Sequence, residues 1–186
     1  FEAGSHVLQA ELFEGGTVRV QIPGRATEPR RVDLGTEGGP KPGYLTEAGV
    51  PHWIHLVEDL EAVPVQSLGR ALRHSRELGP DGANIDFVSP APQGGFALRT
   101  YERGVEGETL ACGTGAAAAA WVLYRLGRAG REVPLQVRSG KHLLVEIDEG
   151  HPSGHPFRLS GEARWVCSGA IPRESIQEAL ACSAGA

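Results

Sequence analysis

Along this chain the spacing of apolar residues changes period several times, and each change marks an element. Over residues 6–13 and 17–22 apolar and polar positions alternate, with Glu14-Gly15-Gly16 between them, which predicts a β-hairpin. Residues 25–42 are polar and rich in Gly and Pro, so they read as a loop and as the place for a domain boundary. Strand character returns at residues 44–46 and 49–57, the second opened by a Gly-x-Pro turn, and residues 58–63 form a turn region. From Pro64 the apolar positions Val65, Leu68, Leu72 and, less cleanly, Leu78 follow helical spacing, with Pro64 suited to a first turn and Gly79-Pro80 as the stop. Residues 84–88 and 96–101 predict two more strands joined by a loop at 90–95.

The next element departs from this amphipathic pattern. Residues 113–126 are apolar on all sides except at the start and end, which marks a helix buried at the centre of the molecule. Short strands are available to surround it at residues 133–138, 142–147, 157–160 and 163–166, and residues 172–180 form a weak terminal helix. No internal repeat is present. The expectation is an α+β fold with a curved, mostly antiparallel sheet wrapped around one central apolar helix.

Composition narrows the function classes. The 186 residues, 40% hydrophobic and 22% charged, suffice for one substantial core or two small ones. A net charge of -5 with scattered basic residues gives no electrostatic footprint for nucleic acid. The longest apolar run, residues 116–123, is too short to span a bilayer and no leader opens the chain, so no membrane association and a cytoplasmic location are expected. Three cysteines without framework spacing fit a reducing compartment. A chain that begins at Phe1 and lacks methionine reads as a piece of a longer one.

Candidate chemistry concentrates where the apolar helix begins, at Cys112-Gly113-Thr114-Gly115. A thiol there meets unpaired N–H groups and the positive end of the helix dipole, which favours the thiolate, and the same N–H groups can hold a carboxylate. The plainer reading, a small buried core cysteine, remains beside it. Gly113 and Thr114 have a case as anion binders because glycine permits close backbone approach. Cys167 and Cys182 suit packing or no role. The seven histidines offer no zinc spacing, and His52 and His55 fall on opposite strand faces, so no metal is expected. A cysteine hydrolase pairing Cys112 with His52 stays open. Glu102 and Arg103 end a strand and read equally well as a solvated charge pair, and Asn84 as a turn residue.

These residues carry a resemblance. Tyr101-Glu102-Arg103-Gly104, the stretch Gly107-Glu108-Thr109-Leu110-Ala111-Cys112-Gly113-Thr114-Gly115-Ala116, Pro51-His52, Ala83-Asn84-Ile85-Asp86-Phe87 and Gly161-Glu162-Ala163 resemble the diaminopimelate epimerases, a family of cofactor-independent amino acid epimerases and racemases, over residues 7–171. The resemblance implies two similar α+β domains, each a sheet around a central helix that begins at a cysteine, with the active site between them. On that pattern residues 1–28 close a first domain, 29–166 form the second, and 167–186 return a strand to the first and end in a tail. It implies inversion of LL-diaminopimelate to the meso form, a step towards lysine and cell wall, by two opposed thiols without a cofactor in a cytoplasmic homodimer. It further implies that Cys112 is one thiol, that Glu102 and His52 position protons, and that Asn84, Glu102, Arg103, Gly113 and Thr114 bind the substrate. Two positions depart from the family pattern. Val50 stands where the family has an asparagine that binds the distal end of diaminopimelate, and Trp53 where a small residue is common. A valine makes no such hydrogen bonds, which leaves a racemase for another amino acid, or a non-catalytic binding homologue, as alternatives.

Overall fold

The computed structural model describes residues 2, 3, 6–36, 38–170 and 172. Strands β1 (Glu2–Ala3) and β2 (His6–Val7), among the described residues, pair only with each other, and β3 (Ala10–Leu12) and β4 (Thr17–Ile22) form the expected hairpin. There follow β5 (Arg30–Arg31), β6 (Tyr44–Glu47), β7 (Pro51–Leu56), helix α1 (Val65–Leu72), β8 (Asn84–Pro90), β9 (Phe96–Glu102) and β10 (Gly107–Thr109). Helix α2 (Gly113–Arg125), β11 (Glu132–Val137), β12 (His142–Ile147) and β13 (Phe157–Glu162) complete the described elements.

Eleven strands make one mixed sheet in the order β3-β4-β13-β12-β11-β9-β8-β7-β6-β5, with β10 paired to β9, so the fold is α+β. Its pairs are antiparallel except β7 with β8 and β9 with β11. Parallel neighbours need a crossover, and the two helices supply them: α1 connects β7 to β8, and α2 lies between β9 and β11. Period-two alternation then divides the packing into two layers. Ile54, Val88 and Leu98 face the α2 core, whereas Trp53, Ile85, Phe87 and Tyr101 face the α1 core.

The alanines explain the depth of α2. Ala116 to Ala120 are 0% exposed, and α2 touches β4, β6, β7, β8, β9, β12 and β13. Alanine loses no side-chain entropy in a helix and keeps its radius small, so strands approach from several directions without voids. Trp121, near the far end, fills the wider space and donates its Nε1–H to the Thr27 carbonyl at 2.8 Å. Among the described residues no helix is long and apolar enough to cross a membrane.

Several expectations from the sequence need correction. The strand expected over 6–13 breaks at Leu8, which turns inward and is buried. The loop expected over 25–42 contains the edge strand β5 and a Leu34–Lys41 bridge, because Val32 and Leu34 alternate into the α1 core. The single helix expected from Pro64 to Leu78 divides: Pro64 is the N-cap of α1, and a separate 3₁₀ turn at Arg76–Leu78 rotates Leu78 into the core. That break explains the irregular spacing of Leu78. The strand expected over 163–166 is absent, and Trp165 and Val166 are exposed there. The helix expected over 172–180 lies, apart from Pro172, outside the described residues.

Candidate active site

The site is built where three parallel and antiparallel strands, β7, β8 and β9, present polar residues to the first turn of α2. Cys112 is the N-cap of α2 in an extended conformation (φ -131°, ψ 113°). Its Sγ accepts the Gly115 N–H at 3.4 Å and lies 3.5 Å from Thr114 Oγ1. The first N–H groups of a helix have no carbonyl one turn back. With the Gly115 N–H turned to the sulfur, those of Gly113 and Thr114 remain as donors at the helix start.

The expected thiolate is not what the surroundings favour. Burial, the Asp86 carboxylate and, less strongly, Glu102 push the Cys112 thiol up to about 11, against smaller opposing effects from Thr114 and the Gly115 N–H. Two hydrogen bonds at a helix start do not offset the removal of the sulfur from water beside a buried anion. Cys112 rests as the protonated thiol.

Beneath the cysteine lies a buried polar chain. Asn84, His52, Asp86 and Thr100 are all nearly or fully buried. The Arg103 N–H donates to Asn84 Oδ1 at 2.7 Å, and Asn84 Nδ2 donates to the Pro51 carbonyl at 3.2 Å. His52 Nε2 lies 3.4 Å from Asn84 Nδ2, and His52 Nδ1 lies 2.6 Å from Asp86 Oδ2. The Thr100 hydroxyl donates to Asp86 Oδ1 at 2.6 Å. A Cβ added at Gly115 would meet that same Oδ1 at 2.7 Å, so the glycine is what lets the helix start abut the carboxylate.

The structure therefore gathers His52, Asn84 and the Arg103 main chain into one hydrogen-bonded group with Asp86 and Thr100, and Cys112 and Thr114 into a second at the helix start, the two meeting where Asp86 abuts Gly115, with Gly113 at the same helix start and Glu102 acting on the thiol by its charge. Arg103 enters through its main chain. Glu102 ends β9 and Arg103 opens the turn to β10, in which Glu106 has φ 56°; Arg73 Nε donates to Glu106 Oε1 at 2.6 Å. Asp86 and Thr100 were not singled out by sequence reasoning. Their signal is a polar side chain in phase with Val88 and Leu98, the residues by which these two strands face the α2 core. Cys167 is exposed and outside any strand, and Cys182 lies outside the described residues. Among the described residues no group of three or more His, Cys, Asp or Glu is arranged to hold a metal.

The departure at Trp53 is settled by strand alternation. Trp53 points to the α1 side, away from His52, donating its Nε1–H to the Val32 carbonyl at 2.8 Å. At Val50 the preceding Gly49 packs on Pro23: a Cβ there would meet the Pro23 carbonyl oxygen at 2.6 Å, with Thr114 Cγ2 at 3.9 Å.

Solved structures of other proteins share this architecture. A probable proline racemase of Agrobacterium radiobacter superposes with a TM-score of 0.66 at 17% identity, covering 89% of this chain and 57% of that one. A phenazine biosynthesis protein of the PhzF family from Bacillus anthracis gives 0.60 at 14% identity, covering 89% and 64%. Likeness at such identities defines the fold, an α+β class of which these proteins are members. The particular family follows from sequence: the family model described as diaminopimelate epimerase matches residues 44–166, and this chain belongs to that family. The diaminopimelate epimerase of Aquifex aeolicus is 42% identical over 179 residues, 95% of this chain and 63% of the relative, and that of Gemmatimonas aurantiaca is 44% identical over 143 residues, 73% and 51%. The chain thus spans between half and two thirds of these relatives.

Proposed function

We propose that this chain is the greater part of a cofactor-independent, cytoplasmic epimerase that inverts the α-carbon of LL-diaminopimelate to give the meso form. In this reading the sheet wraps around α2 as the second of two pseudo-symmetric halves, residues 29–166, with residues 1–28 closing the first half and 167–186 returning to it. The contacts of α2 with strands from both ends of the sheet support it. The opposing thiol is supplied from outside these 186 residues, and the intact enzyme is a homodimer. The isolated 186 residues are therefore inactive.

The observation that carries the reading is a buried, protonated thiol at a helix start whose N–H groups remain free to bind an anion. An α-proton beside an ammonium and a carboxylate is weakly acidic. The opposing thiolate removes that proton from one face, and the Cys112 S–H gives its own to the other. Inversion leaves Cys112 as the thiolate and the opposing group as the thiol, so no proton is lost. Negative charge that spreads onto the substrate carboxylate is met by the N–H groups of Gly113 and Thr114 and by the dipole of α2. Asn84, Glu102 and Arg103 bind the substrate amino and carboxylate groups, and His52 and Glu102 position the protons.

The test is exchange of the α-proton with solvent deuterium by the full-length enzyme supplied with LL-diaminopimelate. Cys112→Ala is expected to lower the rate at which the meso form appears by about 10³-fold, the scale of a lost acid–base group; retained inversion in that variant would overturn the role of Cys112. A second reading rests on Val50, whose side chain offers no hydrogen bond to a distal amino acid group: a racemase for an amino acid that lacks one. A higher kcat/KM for such a substrate than for diaminopimelate favours it.

A further inference from the structure

We propose that Asp86 is a positioning residue of this site, whose buried carboxylate fixes the proton of His52 on Nδ1 and holds the Cys112 sulfur in its uncharged form. The proposal deepens the epimerase reading, on which the use of a proton-bearing Cys112 rests.

The tautomer of His52 follows from the hydrogen bonds alone. A main-chain N–H can only donate and a main-chain carbonyl can only accept. The Arg103 N–H at 2.7 Å therefore identifies the Asn84 oxygen, and the Pro51 carbonyl at 3.2 Å identifies its amide nitrogen. That nitrogen, a donor, also faces His52 Nε2 at 3.4 Å, so Nε2 carries the lone pair. The proton is then on Nδ1 and points at Asp86 Oδ2, 2.6 Å away. Asp86 receives a second donor, the Thr100 hydroxyl, on its other oxygen at 2.6 Å. Each oxygen of the carboxylate thus has one donor facing it.

The same carboxylate abuts the helix start. An added Cβ at Gly115 would meet Asp86 Oδ1 at 2.7 Å, Thr100 Oγ1 at 3.2 Å and Cys112 Cβ at 3.3 Å, so anion and cysteine flank a single point. The groups around the sulfur are Asp86 from β8, Glu102 from β9, and the Thr114 hydroxyl and Gly115 N–H from α2; on the β4 and β13 side the helix start meets Ile22 and Leu159, which carry no charge. After burial itself, Asp86 is the largest influence keeping the proton on sulfur. A fixed anion in this place disfavours a thiolate before substrate arrives and leaves a proton ready to deliver.

The experiment uses Asp86→Asn, which keeps shape and removes charge. An amide oxygen still accepts from Nδ1–H and the Thr100 hydroxyl can reverse to accept, so the tautomer is retained while the charge is lost. Alkylation of Cys112, resolved by peptide mass spectrometry across pH, should show its midpoint lowered by about one pH unit, with reaction at neutral pH about tenfold faster. A midpoint unmoved in a folded variant would overturn the proposal, since a packing role alone predicts no shift. If the variant does not fold, the unaltered protein decides: ¹⁵N chemical shifts of neutral His52 must report the Nδ1–H form, and the Nε2–H form would refute it. Neither readout uses a substrate. An enzyme inactive on diaminopimelate would leave the role of Asp86 standing, and an active one with an unmoved thiol would remove only that role.

Discussion

Replacing Gly115 with alanine tests the packing of the site in a single substitution. In an ordinary helix the change is favourable by about 1 kcal/mol, because alanine loses less entropy on folding. Here the new methyl would meet Asp86 Oδ1 at 2.7 Å and Thr100 Oγ1 at 3.2 Å. The end of an aspartate side chain ordinarily swings aside, but this one is held by His52 at 2.6 Å and Thr100 at 2.6 Å and is wholly buried. Overpacking costs about 1–3 kcal/mol, and loosening a hydrogen bond to a charged group about 1.5–3 kcal/mol. Against the helical gain, the balance is a loss of ~1.5–5 kcal/mol, which for a chain of this length lowers Tm by roughly 3–20 °C. Urea unfolding followed by far-UV circular dichroism measures it, with Gly130→Ala as the control. At Gly130 an added Cβ meets nothing within 4 Å, so that variant should stay within about 0.5 kcal/mol of the parent. A Gly115→Ala protein as stable as the parent would show that the carboxylate does not lie against the helix start.

Two further outcomes follow from the same geometry. The Cys112 thiol sits near 9.0 when unfolded and about 11 in the folded chain, so between these values the folded protein keeps a proton that the unfolded chain has lost. Its contribution is complete below pH 9 and is lost as pH rises through 11, by ~2–3 kcal/mol; the difference in stability between the parent and Cys112→Ser across that window measures it, and a difference independent of pH would contradict the burial of the thiol. Arg99 donates to both oxygens of Glu108 at 2.6 and 2.9 Å and to the Leu60 carbonyl at 2.9 Å, tying the segment before Cys112 to the turn before α1. Arg99→Ala should lose about 2–4 kcal/mol in urea unfolding, with Arg99→Lys recovering only part because an ammonium cannot span the same fork; a loss under 0.5 kcal/mol would show the clamp to be idle.

The legible parts of this protein were those where one residue type decides locally. The alanine run with its cysteine and glycines predicted α2 within a residue of its observed end, and β12 was predicted over its observed span, because unbroken apolarity and clean alternation each leave few alternatives. The short β10 was hidden: Gly107-Glu108-Thr109 has no strand pattern of its own and exists as one only by pairing with β9. Likewise the edge strand β5 sits in a polar stretch whose only signal is the alternation of Val32 and Leu34. The resemblance brought Cys112, His52, Asn84, Glu102, Arg103, Gly113 and Thr114 forward as candidates; in the fold Cys112, Gly113 and Thr114 share one helix start, and His52, Asn84 and the Arg103 main chain join the group hydrogen-bonded to Asp86.

Sequence alone determined the chemical inventory and its place at the start of a buried helix, since a helix with five consecutive alanines has no amphipathic surface position to occupy. Only the tertiary structure decided the charge on the thiol. Position at a helix N-terminus argues for the thiolate, but residues 52, 86, 100 and 112 meet through strand pairing across long separations, and that meeting brings a buried carboxylate beside a desolvated sulfur. Helix-end effects amount to fractions of a kcal/mol to about 2 kcal/mol, whereas burial beside a like charge moves a pKa by several units, so the three-dimensional neighbours outweigh the local signal.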